Sequence, residues 1–346
     1  MKVSVVAKVY RGSLVDLTHI GHIAVVDHTG KILYHYGNPD RITFARSSAK
    51  PMQAVPVLES GAADAYGITE REIALFCASH SGESFHVAGV QSILSKAGLT
   101  DEVLQCGTHP PIAEYAAAQL KLEGLEAKTV HCNCSGKHAG MLIAAKYLQE
   151  DLNTYYQENH PVQKRVMKTI SEICEYDEER IVTAVDGCGV PVHALPLFKF
   201  AQGFARLSKP DLFDDRRSKV IRRITEAMTS YPEMVGGTNR ICTDLMKICG
   251  DRLFAKAGAG AYYAIGLKDK GIGITFKIED GGSGILNAVI LETLRQLDLI
   301  KKEELNLLEK YYVVKNRNHK GEIVGETKIE FELIKNFPEA PHTIVI

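Results

Sequence analysis

Arg46-Ser47-Ser48-Ala49-Lys50-Pro51 stands where a strand-rich opening segment gives way to a long run of helical patterning. Residues three apart share a helix face, so Lys50 can reach the Ser47 hydroxyl. A serine hydroxyl is a weak nucleophile until a neighbour takes its proton. A lysine can do so once burial or a nearby positive charge lowers its pKa. A helix N-terminus under Ser47 would also favour the anion that develops on attack. A serine N-cap followed by a solvated lysine gives the same letters, and Pro51 disfavours helical geometry at Lys50 while being tolerated in a first turn. The tetrad by itself therefore does not separate catalysis from capping.

Working toward the N-terminus, residues 3–37 alternate hydrophobic stretches with turn signals. Ile20–Val26, Asp27-His28-Thr29-Gly30 and Ile32–Tyr36 read as a hairpin. Working toward the C-terminus, residues 47–60 and 69–98 carry helical periodicity, the second broken at Ser79–Glu83. Residues 112–123, 137–151, 160–175 and 215–229 read as further helices. Strand signals return at Leu253–Lys256 and Ile272–Ile278, and Asp280-Gly281-Gly282-Ser283 starts a helix to about Leu297. The expected class is α+β in one catalytic unit: an antiparallel sheet from both chain ends (about 1–46 and 251–346) and a helical lobe (about 47–250). A cleft between such lobes is a favoured ligand site.

Composition limits the function classes. The chain has 346 residues, 45% hydrophobic and 24% charged, with a formal net charge of −1. Apolar material suffices for a large core, and no basic field points to nucleic acid or an anionic membrane. Lys8, Arg11 and Asp16 interrupt any signal-peptide core, and no apolar run is long enough to span a bilayer. A cytoplasmic protein is expected. Eight cysteines in a chain of this length read as buried free thiols, metal ligands or catalytic groups rather than a disulfide framework.

Three further segments can carry chemistry. Cys77-Ala78-Ser79-His80-Ser81-Gly82-Glu83 breaks an apolar helix with small polar residues, as a cleft lining or an ordinary capped loop would. Lys256-Ala257-Gly258 ends a strand. With Ser47–Lys50 and Ser79, it follows the order of the SxxK, Ser-containing and Lys-Thr-Gly motifs of serine β-lactamases and penicillin-binding proteins. The middle motif is not Ser-Asp-Asn, and Ala257 replaces the threonine. The third segment, His131-Cys132-Asn133-Cys134-Ser135-Gly136-Lys137-His138, with Asp186-Gly187-Cys188-Gly189, could ligate zinc or simply pack its thiols. GxSxG and Walker A motifs are absent.

Taken in order, Arg46–Pro51, Cys77–Glu83, Asn133–His138, Val185–Pro191, Gly236–Arg240, Lys256–Gly258 and Asp280–Gly282 resemble the asparaginase II family of thermolabile, rhizobial-type L-asparaginases. The resemblance implies a fold like the serine β-lactamases, a homodimer, and two serine–lysine tandems, Ser47 with Lys50 and Ser79 with Lys256. It places one zinc ion per chain on Cys134, Lys137 and Cys188, and substrate contacts on Arg46, His138, Asp186, Gly237 and Thr238. Lysine binds a metal only as the neutral amine, so such a site weakens as pH falls. The implied reaction is hydrolysis of L-asparagine to L-aspartate and ammonia. Ser47 is the preferred attacking group, Ser79 and Lys256 relay protons, and backbone amides hold the oxyanion. A glutaminase, another small-molecule amidase or a β-lactamase-like hydrolase are the alternatives on such a scaffold, since one methylene is worth only about 1–3 kcal/mol of discrimination.

Overall fold

The turn at Asp27–Gly30 closes as its residues demand. Asp27 Oδ1 accepts from the Thr29 and Lys31 amides at 2.9 and 3.1 Å, and Gly30 takes a φ of 90°. It joins β2 (Leu14–Asp27) to β3 (Ile32–Tyr36) in an antiparallel pair. The computed structural model describes residues 4–268 and 270–336, and these form an α+β fold.

The remaining strands are β1 (Val5–Arg11), β4 (Ile42–Phe44), β5 (Val182–Val185), β6 (Pro191–Pro196), β7 (Leu253–Gly258), β8 (Tyr262–Leu267), β9 (Ile272–Ile278), β10 (Lys315–Arg317), β11 (Ile323–Ile329) and β12 (Ile334–Lys335). The large sheet runs β10-β11-β1-β2-β9-β8-β7, with β3 on β2 and β12 on β3, and every pairing is antiparallel. Its strands come from both chain ends, and β2 is its hinge: the first half pairs with β1, the second with β9.

The middle of the chain departs from the purely helical expectation. β4, β6 and β5 form a small antiparallel sheet. All six residues of β6 are buried, so no polar alternation marks it as a strand. The helix Leu197–Leu207, also unforeseen, lies across β2, β8 and β9. Gly273 on β9 makes this approach possible, because a Cβ there would strike the Ala201 carbonyl.

The helix Lys50–Glu59 is the axis of the helical layer. It is buried from Lys50 to Leu58 and packs against the helices Ser135–Tyr147, Pro161–Cys174 and Asp215–Ser230. Its N-terminal end abuts edge strand β7 through a short 3₁₀ turn at Arg46–Ala49, and Ser48 Oγ donates to the Lys256 carbonyl at 2.8 Å. Buried apolar residues of sheet and helices form one continuous core. Among the described residues no helix is long and apolar enough to cross a membrane.

Candidate active site

Two lysines meet on one serine. Lys50 begins its helix and Lys256 lies in β7, and each is only 1% exposed. Lys50 Nζ donates to Ser79 Oγ at 3.1 Å, to Cys134 Sγ at 3.2 Å and to the Ala78 carbonyl. Lys256 Nζ reaches the same Ser79 Oγ at 3.0 Å and the Ala257 carbonyl at 2.7 Å. Ser79 belongs to the polar break between the helices Glu70–Phe76 and Ser84–Lys96, anchored by its amide on the Val235 carbonyl. Burial pushes the Lys256 amine down to about 7, and the charges of Lys50 and Arg240 act in the same direction. Near neutral pH this amine is therefore part neutral and able to take a proton.

Ser47 is placed differently from the expectation of a direct Ser47–Lys50 pair. It sits in the 3₁₀ turn, half-buried, while the hydrogen bonds of Lys50 Nζ go elsewhere. The turn begins on Ala45 with no side-chain cap, so Ser47 is not an N-cap either. Both serines line one cleft of about 450 Å³, with Asn133, Arg240, Tyr263 and Tyr311 on its other walls. Arg46 has a φ of 50°, a left-handed conformation that costs a non-glycine residue of order 1–3 kcal/mol. Its guanidinium is held by Asp186 Oδ1 at 2.6 and 2.8 Å.

A family model described as L-asparaginase II matches residues 7–329. The chain belongs to the L-asparaginase II family. All seven segments quoted above lie inside the matched range. No curated protein matches the chain. Among solved structures, a crystal structure of Mglu in its native form shares 14% identity over 82% of this chain, with a TM-score of 0.44. The chain spans 66% of that protein's length. A putative beta-lactamase from Bacteroides dorei DSM 17855 shares 11% identity over 80% of this chain and 93% of its own, with a TM-score of 0.42.

In this L-asparaginase II chain the sulfur residues also converge. Lys137 Nζ donates to Cys188 Sγ at 3.1 Å, and all three of Cys134, Lys137 and Cys188 are buried. Hydrogen bonds from the thiols of Cys132 and Cys188 hold Cys134 well below the ordinary thiol range. Burial opposes charge on Lys137, yet the sulfurs of Cys188 and Cys134 outweigh it and raise the amine. Two sulfurs and one nitrogen in contact suit Zn²⁺, which would take the place of the lysine proton. Among the described residues no group of three or more His, Cys, Asp or Glu gathers as a metal site; this set has two cysteines and a lysine.

The residues assigned to substrate contact scatter. Arg46 and Asp186 pair with each other, and neither is part of the cleft lining. His138 is fully buried; its Nδ1 meets Tyr155 Oη at 2.6 Å and its Nε2 has no partner among the described residues. Gly237 takes a φ of 112°, and a Cβ there would collide with Ser81 and Glu83. The Thr238 amide and hydroxyl donate to Glu83 at 2.8 and 2.7 Å.

Glu83, which ends the Cys77–Glu83 segment but has no role assigned from the sequence, is fully buried and ties this turn down. It also accepts the Tyr115 hydroxyl. Burial opposes its charge, but donation from Tyr115 and Thr238 keeps its carboxyl below the usual range. Glu83→Ala would strand three donors and is expected to destabilise the protein by about 3 kcal/mol. Chemical denaturation checks this. Glu83→Gln, which retains one carbonyl oxygen as acceptor, should lose less, and equal losses would mean the oxygens themselves do not matter.

Proposed function

We propose that the chain is an L-asparaginase, hydrolysing L-asparagine to L-aspartate and ammonia through a serine acyl-enzyme. Family membership supports the substrate. The observation that carries the chemistry is Ser79 Oγ bridged by two buried lysine amines, beside a Ser47 hydroxyl in the same cleft that has no hydrogen-bond partner among the described residues. Nucleophile and base within reach of each other are the mark of covalent catalysis, and such contacts are often loose before substrate binds.

In this reading the Lys256 amine, which burial pushes down to about 7, is part neutral near pH 7 and takes protons through the Ser79 hydroxyl. The Ser47 hydroxyl attacks the side-chain carboxamide carbon and its proton passes by way of the Ser79 hydroxyl to the neutral Lys256 amine. The tetrahedral intermediate collapses, the C–N bond breaks, and the departing ammonia takes that proton back. Water then cleaves the ester to release L-aspartate and restore Ser47. Cys134, Lys137 and Cys188 would hold a zinc ion that binds and orients substrate as a Lewis acid.

We also read the fold as of the serine β-lactamase type, because Ser47, Lys50, Ser79 and Lys256 follow that motif order, with both lysines on Ser79 and both serines lining one cleft. Homodimerisation and a cytoplasmic location belong to the same reading.

Ammonia release from L-asparagine and L-glutamine tests the function. Asparagine should be preferred at least about 10-fold in kcat/KM, as one methylene allows. A glutamine preference, or hydrolysis of nitrocefin in place of both amides, would overturn it. For the metal, about one zinc per chain is expected by mass spectrometry of metals. A folded Cys134→Ser/Cys188→Ser double variant should lose it, and retention would put the ligands elsewhere.

A further inference from the structure

Among the walls of the cleft, the one charged side chain has no counterpart among the described residues. Arg240 lines it together with Ser47 and Ser79, and no Asp or Glu does so among the described residues. The Arg240 guanidinium, half-buried, has neither a hydrogen-bond acceptor nor an ion pair among the described residues. The acid one helical turn further on, Asp244, is already engaged: Lys310 Nζ lies 2.7 Å from its Oδ2 and the Tyr311 hydroxyl donates to the same atom at 2.8 Å. Asn239 Oδ1 is likewise occupied by Lys310 Nζ at 3.0 Å. Arg46, by contrast, is neutralised by Asp186 outside the cleft lining. An unpaired guanidinium facing a substrate cavity is a fork of donors shaped for a carboxylate.

We propose that Arg240 binds the α-carboxylate of the substrate and so restricts the reaction to amides that carry an acid group at that position. The inference takes the substrate from the asparaginase reading and adds the residue that recognises its acid end. The carboxamide then points toward Ser47 and Ser79, while the acid end is fixed by Arg240. Arg240 also influences Lys256, so an effect on the chemical step is the rival role that the experiment must separate from recognition.

The test compares wild type, Arg240→Lys and Arg240→Met on three amides: L-asparagine, succinamate, which lacks the α-amino group, and 3-aminopropanamide, which lacks the α-carboxylate. Arg240→Met should lose about 10²-fold in kcat/KM on the first two, chiefly through KM, and change less than about 3-fold on the third. Arg240→Lys should fall between. Equal losses on all three amides, especially with a displaced pH–rate profile, would assign Arg240 to the chemical step and overturn the inference. Thermal denaturation with product gives a readout free of turnover. L-aspartate should protect wild type but not Arg240→Met, whereas β-alanine should protect neither. Equal protection of variant and wild type by L-aspartate, or of neither, would also overturn it. Wild type inactive on asparagine would defeat the proposed function, and aspartate protection would still decide the role of Arg240.

Discussion

Ser47→Ala is expected to lower kcat/KM for L-asparagine by about 10⁴-fold or more while leaving the fold intact, since removing a covalent nucleophile removes the acyl-enzyme route altogether. Ser47 is half-buried in a short turn, and its loss leaves the buried Ser48–Lys256 bond in place. Ser79→Ala should be milder, about 10²–10³-fold, because it interrupts the proton relay to Lys256 without removing the attacking oxygen. Rapid quenching of the wild type with asparagine, followed by peptide mass analysis, should find the aspartyl adduct on Ser47. An adduct on Ser79 would exchange the roles of the two serines, a result its two lysine contacts make chemically sensible.

Lys256→Met should show activity and stability moving in opposite directions. Loss of the amine held near neutrality is expected to lower kcat/KM about 10³-fold. In the wild type kcat/KM should rise about tenfold per pH unit on the acid side and level off near pH 7, where the Lys256 amine loses its proton. The stability effect has the other sign. Folding lowers the Lys256 pKa from 10.5 to about 7, so between those values the unfolded chain holds a proton that the folded chain lacks. Stability therefore increases with pH across that window, and the full penalty, several kcal/mol, applies below about pH 7. Methionine has a similar length and no charge to desolvate. Lys256→Met should raise the denaturation midpoint at pH 6 and flatten the pH dependence of stability between 7 and 10. A midpoint lowered at pH 6 would show that the contacts to Ser79 and Ala257 outweigh the desolvation of the amine.

Local chemistry made much of the chain legible. The Asp27–Gly30 turn, the helix from Lys50, the polar break at Ser79–Glu83 and the strand ending in Lys256-Ala257-Gly258 each depend on neighbours within a few residues, so one sequence suffices to read them. β6 was not legible, because a strand buried on both faces has no alternation. Glu83 and Arg240 stood in quoted segments but had no role assigned, for a different reason. One is a carboxylate in a cap-like position and the other an arginine in a loop, and neither residue type nor spacing reveals that the first is fully buried or the second unpaired.

The four catalytic candidates mark the same boundary. The sequence by itself determined which side chains were available: two serines, two lysines, and a thiol and amine set able to suit zinc. Their partners were decided by the tertiary structure alone. Lys50, three residues from Ser47, turns instead to Ser79, 29 residues away, and Lys256 meets that same hydroxyl across 177 residues. Burial then sets the Lys256 proton affinity. Chain proximity fixes which residues can share a turn, whereas desolvation and the competition among acceptors for a buried ammonium exist only once sheet and helices have packed.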